Sequence, residues 1–324
     1  CVSVYNGEGK DAPYDQEAFD MWAELVPRDR IYALHDKENF WQMGDNGPCG
    51  PCSEIHIFNG DVAPGDAARE GNFGPGYEDD KYTELWNLVF MQYELENDKI
   101  VGKLPKPSID TGAGLERLAT VLAGVHNNYE TELLSPIVDR AKKAVGSNAD
   151  SFGQAPFQVI ADHARATSFL IADGVFPDKT GREYVLRRIM RRAIRFGHQI
   201  GLEDLFMHEM CAEVIEQFAE PFPELVAAKA TIEEVVKTEE TAFRRTLSRG
   251  LKMVQVVLDE LPEGSTAFPV EAAGQLYDTH GFPIDLTGVI AKENDLQLDE
   301  AAVAQWIAET QGKGGDGPIG GDKG

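Results

Sequence analysis

Thr83-Glu-Leu-Trp-Asn-Leu-Val-Phe-Met-Gln-Tyr93 is the stretch of this 324-residue sequence that decides the fold. It is predominantly apolar and aromatic, which predicts a strand whose successive side chains point to opposite faces. One face then carries Leu85, Asn87 and Val89, and the other begins with Trp86. Because both faces are largely apolar, we expect this strand to be central in its sheet and covered on both sides.

The rest of the chain divides into a mixed first part and a helical second part. Shorter strands are predicted at Val2–Tyr5, Ile55–Phe58 and Ser108–Thr111, and the Gly-, Pro- and Asp-rich segment Gly60–Glu78 is predicted to be a surface loop. Helices are predicted over 157–172, 182–200, 203–219, 223–261, 269–279, 285–294 and 300–310. The pattern indicates an α+β chain, with a part that mixes strands and short helices followed by a helical part.

Composition shifts near residue 150, which predicts domains at 1–150 and 151–311 and a glycine-rich linker or tail at 312–324.

Lys and Arg number 30 against 55 Asp and Glu, a net charge of −25, so nucleic acid can bind only where basic residues cluster. No apolar run approaches the roughly 18 residues of a membrane span, and no signal peptide is evident. The four cysteines are too few and scattered for a disulfide framework, which favours the cytoplasm.

One predicted helix is strongly basic. From Arg182 to His198 there are six arginines and one glutamate. Five of these arginines fall within about 140° of a helical wheel at ~100° per residue, opposite an apolar face. They are Arg187, Arg188, Arg191, Arg192 and Arg195. The stripe is either a solvated face paired with acidic neighbours or a surface for nucleic-acid phosphates.

A Gly-Pro pair precedes each cysteine of Cys49-Gly-Pro-Cys52. The two pairs predict a rigid turn with exposed backbone N–H groups. A dithiol at this spacing is compatible with redox chemistry, and with His35 and His56 it offers four ligands for zinc. The spacing matches no usual paired zinc motif, so structural cysteines in a tight turn are the favoured alternative.

Leu104–Leu118 contains a second concentration of chemical groups, Asp110-Thr-Gly-Ala-Gly-Leu-Glu-Arg117. Asp110 is suited to hold an ammonium group and Arg117 to meet a phosphate. The plainer interpretation is a helix N-cap followed by a surface arginine.

Several long motifs together resemble the alanyl-tRNA synthetase family of class II aminoacyl-tRNA synthetases. They are Asn39–Ile55, Glu84–Tyr93, Asp110–Arg117, Val159–Val175 and Tyr184–Ala193. The resemblance runs from about Val2 to Glu309 in the order and spacing of that family. It implies a partial antiparallel class II catalytic sheet followed by an all-helical tRNA-recognition domain.

The resemblance also implies roles for individual residues. Asp110 would bind the α-ammonium of alanine and act with Arg117 as a catalytic residue, and Glu84 is a candidate magnesium ligand. The alanine pocket would be lined by Trp41, Asn87, Val89, Asp110 and Gly112. ATP would be bound by Gly112, Gly114 and Arg117. The five arginines of the basic helix would contact the tRNA acceptor stem.

The implied function is that of an alanine–tRNA ligase, which joins alanine to ATP as alanyl-adenylate, with Mg²⁺, and transfers it to tRNA(Ala). Class II motifs 1 and 2 and the zinc-containing editing domain are not found in this sequence. We therefore expect an internal fragment that is inactive alone and is not an oligomer. The alternatives are a non-catalytic tRNA-binding or interaction module derived from the family, or, more remotely, a dithiol redox or zinc protein.

Overall fold

The computed structural model describes residues 1–58, 82–262 and 264–313, without the side chains of the last three. The chain folds as two compact units, one from Cys1 to Leu133 and the other beginning at Leu134. The predicted loop at 60–78 and the tail beyond residue 313 lie outside the described residues. No helix in the described ranges is long and apolar enough to cross a membrane.

The first unit is built on a six-stranded sheet. Its strands are β1 (Val2–Tyr5), β2 (Ile31–Leu34), β3 (Phe40–Gln42), β4 (Gly47–Phe58), β5 (Tyr82–Glu96) and β6 (Lys99–Ala113). Their order is β2-β1-β4-β5-β6, and β3 pairs with β4. All pairs are antiparallel except β1 with β2. The antiparallel α+β fold predicted from the sequence is therefore confirmed.

Strand β5 lies between β4 and β6, as predicted, but its faces are less buried than its sequence indicates. Val89 and Leu95 are buried, whereas Trp86 is 42% exposed and most other side chains are half-buried. The prediction that both faces are covered is therefore wrong for the described part of the chain.

The Cys49-Gly-Pro-Cys52 segment is extended, not the rigid turn that its Gly-Pro pairs predict. It belongs to β4, and both cysteines are buried. A Cβ atom at Gly50 would overlap the backbone carbonyl oxygen of Phe90 on β5. The glycine thus permits a close approach of two strands instead of a turn.

Strand β6 is much longer than the predicted Ser108–Thr111 and includes Pro105 and Pro107. Proline is tolerated there because β6 ends the order of the described strands, and an edge strand can lack backbone donors. The described part of this unit also contains three α-helices, α1 (Gln16–Trp22), α2 (Asp36–Asn39) and α3 (Leu115–Ala123).

The second unit is helical. Its helices are α4 (Ser135–Val145), α5 (Ala155–Ala172), α6 (Gly181–Gln199), α7 (Met207–Phe218), α8 (Pro223–Ala227), α9 (Lys229–Glu260), α10 (Val270–His280), α11 (Ile284–Glu293) and α12 (Glu300–Lys313). The unit starts at Leu134, before the compositional shift near 150, because α4 packs on α5 and α7.

Two helix predictions differ from the structure in this unit. The single helix expected over 223–261 is interrupted at Ala228. The helix expected from residue 203 begins only at Met207, where the buried carboxylate of Glu240 accepts the N–H groups of Phe206 and Met207. This side chain satisfies donors that the first turn of α7 leaves without intrahelical partners.

Candidate functional site

Three strands of the first unit bring the residues expected for substrate binding around one cavity of about 210 Å³. Its lining is Trp41, Asn87, Val89, Asp110, Thr111 and Gly112. Asn87 is paired with Gly112 and Val89 with Asp110 in the β5–β6 register, so these four residues share one face. Thr111 was not among the expected residues. Its position beside Asp110 was the only available signal.

A register shift on β5 places Glu84 on this same face. Ile55 pairs with Trp86 and His56 with Glu84, so Leu85 is an extra residue that faces no partner on β4. An extra residue of this kind reverses the alternation of side chains beyond it. Glu84 therefore joins the face of Asn87, although strict alternation predicts the opposite face.

Asn87 is oriented by a buried carboxylate on β4. Its Nδ2 donates to Glu54 Oε1 at 3.0 Å. Its Oδ1 is buried and accepts no hydrogen bond from the described residues. The amide therefore has a buried acceptor atom without a partner among the described residues, which is costly in free energy.

Asp110 lies within β6 and does not cap a helix, since Gly114 is the N-cap of α3. The N-cap interpretation of this residue is therefore wrong. Asp110 Oδ1 accepts the N–H of Thr111 at 2.8 Å. The Thr111 hydroxyl donates to the carbonyl oxygen of Asn87 at 3.1 Å and accepts the indole N–H of Trp86. A Cβ at Gly112 would meet no atom within 4 Å, so the space beside the carboxylate is open.

A second cavity, of about 570 Å³, contains Arg117 and Glu84. Arg117 Nη1 donates to the Glu84 backbone carbonyl at 2.8 Å and to its carboxylate at 3.1 Å. Gly114 leaves room for this arginine, since a Cβ there would come within 3.0 Å of Arg117 Cδ. Glu54 and His56 also line this cavity, and Glu54 accepts a hydrogen bond from Asn87, which lines the small cavity.

Glu84 is the one carboxylate here that the family resemblance assigns to magnesium. Among residues 1–58, 82–262 and 264–313, no three His, Cys, Asp or Glu side chains are grouped to hold a metal ion. Mg²⁺ that is bound mainly through substrate phosphates needs only one or two protein carboxylates. The donor set therefore fits an ion shared with phosphates and does not fit a protein-only cage.

The environment of the cysteines does not favour the redox or zinc interpretation. Burial raises the pKa of the Cys49 thiol, and it raises the pKa of Cys52 to about 12. A reactive or metal-binding cysteine must be a thiolate, which a buried site disfavours. His56 contacts Ser3 and Glu54, and His35 contacts Asp36. These groups are structural in the described part of the chain.

The arginine helix α6 is paired largely with carboxylates of other helices in its unit. Arg187 Nε and Arg191 Nε both donate to Glu239 Oε1, at 3.0 and 2.7 Å. Arg188 Nε donates to Asp285 Oδ2 at 3.0 Å and remains exposed. The alternative of a basic stripe neutralised by acidic neighbours thus accounts for these three arginines.

Arg195 and Arg192 occupy opposite environments on the same helix. The Arg195 side chain is 2% exposed and pairs through both terminal nitrogens with Glu293, so its assignment to an open basic face is wrong. Arg192 is exposed, lies 5.9 Å from the centre of the Phe196 ring and forms no ion pair with the described residues. The ion pair of Arg195 with Glu293 on α11, which a helical wheel does not contain, separates the two environments.

The family model for tRNA synthetases class II (A) matches residues 1–314, and the chain belongs to this family. Among its relatives, the alanine–tRNA ligase of Sorangium cellulosum is 48% identical over 325 residues, covering 98% of this chain and 35% of that protein. The alanine–tRNA ligase of Myxococcus xanthus is 47% identical over 319 residues, which cover 97% of this chain and 35% of that protein. The alanine–tRNA ligase of Anaeromyxobacter dehalogenans is 45% identical over 333 residues, which cover 97% of this chain and 37% of that protein. The chain spans about a third of the length of these relatives.

Proposed function

We propose that this chain forms part of an alanine–tRNA ligase, acting on alanine, ATP and tRNA(Ala) in the cytoplasm. Its first unit would be the later part of the catalytic domain and its helical unit the tRNA-recognition domain. The observation that carries the proposal is the convergence of Trp41, Asn87, Val89, Asp110 and Gly112 around one cavity.

The small cavity is suited to alanine. The ammonium group would be held by the Asp110 carboxylate, which lies on the same face as Asn87 and Val89. The methyl group would contact Val89. A hydroxyl group is poorly rejected by such a wall, so serine and glycine are the expected competitors.

The second cavity is suited to the ATP phosphates. Arg117 would bind them with its planar guanidinium group, in exchange for its present contact with Glu84. An alanine carboxylate oxygen would attack the α-phosphorus, and the bond to pyrophosphate would break, giving alanyl-adenylate. A ribose hydroxyl of tRNA(Ala) would then attack the alanyl carbonyl and release AMP. Glu84 would hold Mg²⁺, which would supply positive charge to neutralise the phosphates.

The tRNA acceptor stem would bind the helical unit along α6. Of the five arginines, Arg188 and Arg192 are exposed and would contact RNA. Arg187, Arg191 and Arg195 are turned toward Glu239 and Glu293 and would hold the helix in place.

Calorimetric titration of this chain with L-alanine, L-serine and L-valine tests the proposal. We expect alanine to bind more tightly than serine or valine, because a longer side chain would meet Val89 where the methyl group of alanine is proposed to lie. Equal binding of valine, or no binding of alanine, would overturn the assignment of the pocket. Binding of tRNA by a chain that does not bind alanine would instead favour the non-catalytic tRNA-binding module.

A further inference from the structure

An apolar groove of about 870 Å³ lies between helix α1 and the sheet of the first unit. Its floor is formed by Leu88 and Phe90 of β5 and by Ile109 of β6. We propose that this groove is the docking site of an amphipathic helix with basic flanks, supplied by a part of the same polypeptide outside residues 1–324. The inference concerns how the sheet is covered, so it does not depend on which amino acid the small cavity binds.

The floor of the groove is a sheet face without cover. Leu88 and Phe90 alternate with Val89 along β5, so they lie on the face opposite the small cavity. The apolar sequence of β5 predicts cover on both faces, yet these two side chains are only half-buried. Ile109, which pairs with Phe90, is 71% exposed. A layer of apolar side chains is therefore missing over this face in the described part of the chain.

The opposite wall of the groove also exposes large apolar side chains. Met21 of α1 and Leu25 of the turn that follows it are 64% and 76% exposed. Large apolar side chains gathered on an open groove mark an interaction surface. The backbone groups of a sheet face are already paired, so its usual cover is a helix, whose own backbone hydrogen bonds are internal.

Carboxylates at the groove indicate the charge of its occupant. Glu17 and Glu24 line the groove and are exposed, and no Lys, Arg or His of the described residues lines it. Asp15 contributes less, because one of its oxygens accepts the N–H of Ala18 and the other is buried. Lysines or arginines on the flanks of a docked helix would meet Glu17 and Glu24.

The same charges disfavour a second copy of this chain as the occupant. Each copy has a net charge of −25, so two copies repel each other. A symmetric contact through the groove would also bring the two sets of carboxylates together.

The length of the relatives indicates where the helix resides. This chain spans about a third of the alanine–tRNA ligases that it matches, so most of the length of such a protein lies outside the matched region. A helix on the same polypeptide docks at a high effective concentration and needs little affinity of its own. The groove would therefore be covered in the full-length protein.

The probe is a dye-labelled synthetic helix of about 18 leucines and lysines with the leucines on one face, and fluorescence anisotropy measures its binding to this chain. Leu25→Asp should weaken binding about tenfold or more, because an apolar contact is lost and a charge enters the groove. Leu122→Asp is the matched control, since Leu122 on α3 is 87% exposed and does not line the groove. Both substitutions add one negative charge, so any general attraction of the basic peptide rises equally in both variants. The control should change binding by less than about twofold at physiological salt.

An exchange of charges tests the carboxylates separately. A peptide with glutamates in place of the lysines should not bind the unmodified protein, and it should bind the double variant Glu17→Lys, Glu24→Lys. This pair of measurements decides the question if Leu25→Asp does not fold. Equal effects of Leu25→Asp and Leu122→Asp, or no binding of the glutamate peptide to the double variant, would overturn the inference.

Two further results would assign the groove to another occupant and overturn the inference. One is a dimer of this chain in sedimentation equilibrium that Leu25→Asp dissociates, since the groove would then be an interface between copies. The other is a full-length protein that binds the leucine–lysine peptide as tightly as this chain does, since the groove would then be open to a separate partner. We expect a monomer, and a full-length protein that does not bind the peptide.

Discussion

Replacing Arg195 by alanine tests whether this arginine of α6 holds the helical unit together or contacts RNA. The side chain is 2% exposed, and its guanidinium group donates two hydrogen bonds to Glu293. Breaking a fully buried ion pair costs about 3–5 kcal/mol. Glu293 is 42% exposed, so water would solvate its carboxylate once the arginine is gone. We therefore expect the free energy of unfolding to fall by about 2–3 kcal/mol, through lost hydrogen bonds and packing.

Urea unfolding followed by far-ultraviolet circular dichroism measures this change, since the helical unit supplies most of the signal. Arg192→Ala is the matched control, because it removes the same side chain from an exposed position of the same helix. It should change stability by less than about 0.5 kcal/mol. In tRNA titrations the order should reverse, with Arg192→Ala weakening binding and Arg195→Ala, where folded, leaving it unchanged. An Arg195→Ala variant of normal stability and reduced tRNA affinity would refute this reasoning.

Three further perturbations test the first unit. Asp110→Asn should weaken L-alanine binding by about tenfold or more in calorimetry while ATP binding is unchanged, since only the ammonium loses its charged partner. Gly50→Ala should lower the free energy of unfolding by about 1–3 kcal/mol in urea, because its Cβ would overlap the Phe90 carbonyl, whereas Gly102→Ala has open space. The Cys52 thiol has its pKa raised from 9.0 to about 12, so its contribution to stability is complete below pH 9 and lost toward pH 12. Unfolding midpoints of the unmodified protein should fall across that range more steeply than those of Cys52→Ser.

The central strand shows how far side-chain alternation predicts a site. Alternation along 83–93 correctly places Asn87 and Val89 on one face, and both line the cavity. It fails at Glu84, because the extra residue Leu85 reverses the faces. That register shift is decided by the pairing of β5 with β4, and nothing in the sequence of β5 alone indicates it.

The cavity itself could not be predicted from spacing. Its residues come from three separate strands, and Trp41 is more than 40 residues from the strand that carries Asn87. Asp110 was suggested by the residues themselves, and the resemblance to a known family named the other expected residues in advance. The Glu54 contact to Asn87 escaped prediction for the same reason, since cross-strand neighbours depend on register.

The arginine helix shows what a helical wheel omits. The wheel places five arginines in one arc, but their acidic partners Glu239, Asp285 and Glu293 lie on α9 and α11. A phosphate that binds Arg188 must compete with Asp285, whereas Arg192 is paired with no described carboxylate. RNA binding releases about 0.7–0.9 counterions per phosphate neutralised. We therefore expect the logarithm of tRNA affinity to fall against the logarithm of salt concentration with a slope of about one to two in magnitude, and not the roughly four that five open arginines would give. A slope near four would mean that RNA displaces the carboxylates, and it would return Arg187, Arg191 and Arg195 to the binding face.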